Sequence, residues 1–81
     1  MSIVLKNTEF NELKVFIEPS TDEILLKKND ALAIQLKGQD TVPLEIHYCE
    51  DAMVVWIPHG QSADFYINGE EIETMCSQYF W

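Results

Sequence analysis

Eighty-one residues with a formal net charge of −9, from 14 acids against five lysines and no arginine, leave room for one domain around one core. Nucleic acid and anionic membrane surfaces are poor partners for such a chain, because both demand cations against phosphate. At 47% hydrophobic it is globular rather than disordered, and no apolar run approaches the ~20 residues that a membrane helix needs.

Along the chain the dominant hydrophobic period is two, the signature of half-buried strands. Residues 3–6 make a short strand candidate, and residues 7–13 have room for one helical turn and no more. In residues 13–17, Leu13, Val15 and Ile17 point one way and Lys14 and Phe16 the other. Glu18-Pro19-Ser20 punctuates that run. Residues 23–26 form a weaker strand, closed by Lys28-Asn29-Asp30. Leu32, Ile34 and Leu36 then alternate with Ala33 and Gln35 up to Gly38-Gln39-Asp40. Val42, Leu44, Ile46 and Tyr48 alternate with Pro43, Glu45 and His47. Residues 52–57 are apolar on both faces, so this strand is either central or turns its second face to a partner. Pro58-His59-Gly60 follows it.

Asn68-Gly69 is the strongest local signal, because both residues tolerate the positive φ of a type I′ hairpin turn. A two-residue loop pairs Ile67 with Glu70, Tyr66 with Glu71 and Phe65 with Ile72. That register places Ala63, Phe65, Ile67, Ile72 and Thr74 on one face and Asp64, Tyr66, Glu71 and Glu73 on the other. Residues 76–80 make a last strand candidate.

About seven or eight short strands without a substantial helix predict an all-β, small antiparallel β-sandwich or barrel, a single domain over residues 1–81. The expected core is Leu13, Val15, Ile17, Ile24, Leu32, Ile34, Leu36, Leu44, Ile46, Val54, Trp56, Phe65, Ile67 and Ile72. The N-terminus shows no secretory pattern, and two cysteines are few for a disulfide framework. Both point to a cytoplasmic protein with reduced thiols.

Charge is lopsided. Before Gly38, five lysines meet six acids; after it come eight acids and no basic side chain but His. The strand patterns turn Glu45, Asp64, Glu71 and Glu73 outward and put Glu50, Asp51 and Glu70 in turns. A field of one sign steers a basic partner to its surface. It also keeps a domain soluble and guards sheet edges with no partner at all.

Other chemistry is weaker. Glu45, His47 and Cys49 share one strand face and are zinc-capable, but lack the paired-ligand spacing of a structural site. Cys49 beside carboxylates is a poor nucleophile, since neighbouring negative charge raises a thiol pKa. His59 and Ser62 lack a nucleophile elbow. No phosphate loop, EF-hand or Cys-x-x-Cys is present. The expectation is a non-enzyme without cofactor or metal. Tyr79, Phe80 and Trp81 at the chain end either complete a sheet or anchor an interface.

Ile17-Glu18-Pro19, Glu23-Ile24 and Leu32-x-Ile34, with Pro43-Leu44-Glu45-Ile46, Val54-Val55-Trp56 and Phe65-Tyr66-Ile67-Asn68-Gly69-Glu70, resemble a class of small uncharacterised bacterial all-β proteins. These motifs span roughly two-thirds of the chain. Lys28-Asn29-Asp30 stands where that class often has a Pro-Gly turn. The resemblance implies a bacterial cytoplasmic β domain and assigns no residue a role.

Three functions follow. The first is a non-enzymatic, acidic protein-binding module, of the kind an immunity or inhibitor protein uses against a basic partner. Its contact residues would be Glu45, Asp64, Tyr66, Glu71, Glu73 and Trp81. The second is a structural or accessory subunit that self-associates through its two-faced apolar strand or its aromatic tail. The third is a β-barrel binding a small ligand or a metal.

Overall fold

The computed structural model describes residues 2–38 and 43–79. Among these residues the chain forms β1 (Ser2–Lys6), β2 (Glu12–Glu18), β3 (Asp22–Lys27), β4 (Ala31–Lys37), β5 (Glu45–Tyr48), β6 (Ala52–Trp56), β7 (Ser62–Ile67), β8 (Glu70–Ile72) and α1 (Met75–Gln78). The strands build two four-stranded sheets, a first in the order β1-β4-β7-β8 and a second in the order β3-β2-β6-β5. Each sheet keeps two edge strands, so neither closes into a barrel. Among the described residues no helix is long and apolar enough to cross a membrane.

Hairpins join β2 to β3, β5 to β6 and β7 to β8, and the remaining strand connections carry the chain from one sheet to the other. One pairing departs from the antiparallel expectation: β2 and β6 lie parallel, with Val15 opposite Met53 and Ile17 opposite Val55. After β3 the chain leaves the second sheet for β4 and returns through β5. It therefore re-enters beside β2 running in the same direction, the long crossover that parallel neighbours require.

That pairing also reverses the predicted phase of β6. Adjacent strands in register turn opposed side chains to the same face. Leu13, Val15 and Ile17 are buried, so Met53 and Val55 are buried with them, followed by Ile57. Val54 and Trp56, expected in the core, lie on the outer face instead, and Trp56 is 42% exposed. The core joins both sheets: Leu13, Val15, Ile17, Ile24, Leu26, Met53, Val55 and Ile57 meet Leu32, Ile34, Ala63 and Phe65 in one cluster. Leu36, Leu44, Ile46, Ile67 and Ile72 pack against it, partly buried. Val42 lies outside the described residues.

The Asn68-Gly69 hairpin has the predicted register, Ile67 with Glu70, Tyr66 with Glu71 and Phe65 with Ile72. Both loop residues have positive φ, 52° and 87°. Glu70, expected in the turn, opens β8. The Asn68 side chain also grips the turn between β3 and β4. Its Oδ1 accepts from the Ala31 N–H at 3.0 Å and its Nδ2 donates to Asp30 at 2.9 Å. This amide first, and then the Lys27 N–H, hold the Asp30 carboxyl below its ordinary value of 3.8.

The stretch expected as a last strand is instead a helical turn, Met75–Gln78. Thr74 caps it by accepting from the Ser77 N–H at 3.1 Å. A tertiary contact decides the matter: Asp22, at the start of β3, accepts from the Met75 and Cys76 N–H groups at 2.8 and 2.9 Å. Lys37 Nζ donates to the Ser77 carbonyl at 3.0 Å from β4. Cys76 is driven into the core, fully buried. Phe80 and Trp81 lie outside the described residues. At the opposite end of the fold, buried Asn7 donates from Nδ2 to the Phe10 and Leu26 carbonyls at 2.9 and 3.1 Å, tying the β1–β2 connection to β3.

Two measurements check this arrangement. Val55→Ala should cost about 2 kcal/mol in urea unfolding, two buried methyl groups plus a residual cavity. Val54→Ala should cost less than about 1 kcal/mol; equal or reversed costs would refute the register of β6. Asn68→Gly keeps the left-handed turn and removes the side-chain bonds. A depressed carboxyl stabilises above its unfolded pKa and loses that contribution as pH falls through its native one. Asn68→Gly should therefore melt below the wild type at neutral pH, with the gap narrowing as pH falls below 3.8. A gap indifferent to acid would disprove the link to Asp30.

Candidate functional site

The six residues expected at a partner contact do not form one surface. Asp64 and Tyr66 lie on β7 and Glu71 on β8, all in the first sheet, while Glu45 lies on β5 in the second. Glu73 is exposed in the connection between β8 and α1. Trp81 is outside the described residues. Within the first sheet the predicted sharing of a face holds, with Tyr66 opposite Glu71. Yet Asp64 faces Lys37 at 3.3 Å, so a lysine from the first half of the chain offsets its charge. Glu71 and Glu73 line an open cavity of about 370 Å³ with Ile72, Ser77 and Gln78, and Gln78 closes on Glu73 at 3.4 Å.

A more continuous surface lies on the outer face of the second sheet. It is formed by residues the sheet register turns away from the core: Phe16 on β2, Leu25 on β3, and Ala52, Val54 and Trp56 on β6. The register sets them in rows across the strands. Glu23, Phe16, Val54 and His47 make one row, each opposite the next. Glu18, Trp56 and Glu45 make another. Leu25, Lys14 and Ala52 make a third. Leu25 and Trp56 are 44% and 42% exposed, and Phe16, Ala52 and Val54 are half-buried. An apolar strip thus crosses the sheet with carboxylates at its margins.

The cations near this strip are already engaged. Lys14 stands 3.9 Å from Glu23. His47 Nε2 lies 3.1 Å from Glu45, an ion pair when the imidazole is protonated. Among the described residues no ion pair involves Glu18. Of the strip, the sequence patterns already separate Phe16 from the core side of its strand. The two-faced character of residues 52–57 is the further signal, although it leaves open which face is inside.

The other candidate chemistry separates as well. Glu45 opens β5, His47 lies within it and Cys49 follows it, but no group of three or more His, Cys, Asp or Glu side chains among the described residues is placed to hold a metal ion. Ser62 is buried and His59 exposed. Cys49 and Cys76 are both free thiols, the first exposed and the second buried. Burial pushes the Cys76 thiol above its ordinary value of 9.0, and the Asp22 carboxylate adds to that. A second cavity, of about 170 Å³, opens between Phe10, Leu13, Tyr48, Cys49 and Met53.

No family model, curated protein or solved structure matches the chain. The likeness to small bacterial all-β proteins therefore rests on the quoted motifs alone.

The two thiols should react unequally. A disulfide reagent should titrate exposed Cys49 in the native protein and reach buried Cys76 only in denaturant. Two equally fast thiols in the folded state would contradict the buried position of Cys76.

Proposed function

We propose that the chain is a non-enzymatic binding module that docks on a basic protein surface, with the outer face of its second sheet as the contact. The two sheets are read as a small sandwich whose inner faces form the core and leave this face free. The observation that carries the reading is the exposed Trp56 on a strip of Phe16, Leu25 and Val54, framed by Glu18, Glu23 and Glu45. Aromatic anchors inside a polar rim are the arrangement in which few side chains supply most of a binding energy. The anionic frame supplies steering and selects for positive charge. An immunity- or inhibitor-type role against a cationic protein matches this chemistry.

The same exposed strip supports a second reading, self-association through β6. Charge weighs against it. Two copies of a chain of net charge −9 would bring like-charged rims together.

Salt separates the two readings by sign. Titration of ¹⁵N-labelled protein with a cationic strand peptide carrying alternate leucines should shift amides of β2, β5 and β6, and the shifts should fade at high salt. Self-association would instead strengthen with salt in sedimentation. Shifts confined to β7 and β8, or none, would overturn the proposed face.

A further inference from the structure

Resting on that binding reading, we infer that the cation taken by this face is an arginine of the partner protein, its guanidinium stacked on Trp56 between Glu18 and Glu45. The three side chains occupy one row across adjacent strands: Glu18 is opposite Trp56 in the parallel pair, and Glu45 is opposite Trp56 in the antiparallel one. Neighbouring strands lie about 4.8 Å apart, so the carboxylates leave the sheet on either side of the indole, roughly 10 Å from one another. Trp56 is 42% exposed, and the Glu45 side chain is 71% exposed.

This geometry discriminates between cations. A guanidinium is planar, weakly hydrated and able to lie flat on an indole while its edge N–H groups reach carboxylates beside the ring. A lysine ammonium is a compact, strongly hydrated charge that gains less from the flat surface. No guanidinium of the chain can claim the row, although the His47 imidazole stands 3.1 Å from Glu45. The chain contains no arginine, so neither its own side chains nor a second copy can supply the group. Lys14, on the same face, is held toward Glu23 in the neighbouring row.

The test uses two strand peptides identical except for arginine or lysine at every basic position. The protein carries Trp81→Phe, which leaves Trp56 as its single indole. Trp56 fluorescence should respond to both peptides, with the arginine peptide bound about fivefold more tightly. Trp56→Leu, which keeps an apolar side chain without a π face, should abolish the preference, read from amide shifts of the ¹⁵N-labelled protein because this variant has no indole. Glu18→Gln and Glu45→Gln should each weaken the arginine peptide several-fold. Circular dichroism melts of each variant establish that the fold persists. Equal affinities for the two peptides, both lowered by Trp56→Leu, would overturn the arginine assignment and leave the docking face standing. No response to either peptide would overturn both.

Discussion

Parallel pairing of β2 with β6 decides which half of the most hydrophobic strand is hidden. Leu13, Val15 and Ile17 commit β2 to one orientation, because its opposite face carries Glu12, Lys14 and Glu18, which cannot enter a small core unpaired. With Val15 level with Met53 and Ile17 level with Val55, β6 has no freedom left. Met53, Val55 and Ile57 go in, and Val54 and Trp56 go out with Phe16. The same register sets Trp56 between two glutamates. Core and candidate contact surface are thus two sides of one strand pairing, and a slip of one residue would exchange them.

Much of the architecture is written as a period of two. The strands around Val15, Ile34 and Phe65, and the Asn68-Gly69 turn with its register, can be read directly, because each has one apolar and one polar face. The phase of β6 cannot be read that way, since Val54 and Trp56 are as apolar as Met53 and Val55. Only the neighbour across the sheet distinguishes them. The helical turn at Met75 is illegible for a related reason. Its decisive hydrogen bonds come from Asp22, 53 and 54 positions away.

The contact surface is harder still to see. Charge counted along the chain suggests one acidic region in the second half, but consecutive parts of that half belong to different sheets. Glu45 goes to one sheet, Asp64 and Glu71 to the other, and Lys37 returns from the first half to meet Asp64. Glu18 joins Glu45 although the chain separates them by 27 positions, on either side of the charge boundary at Gly38. The relevant quantity is which carboxylates flank an exposed aromatic. That depends on strand order, which no local pattern encodes.

Asp22 joins a local structure to a distant one. It belongs to the β2–β3 hairpin, a local structure that closes over a few residues. The amides it receives, those of Met75 and Cys76, lie 53 and 54 positions further along the chain, past the strands of both sheets. Ser20 donates to the same carboxylate at 2.6 Å, so the hairpin itself helps to orient it. The helical turn is therefore a latch set into a prepared catch. Cys76 fills its site in the core beside a carboxylate that the hairpin holds, so the last element of the chain is fastened by a residue from its first half.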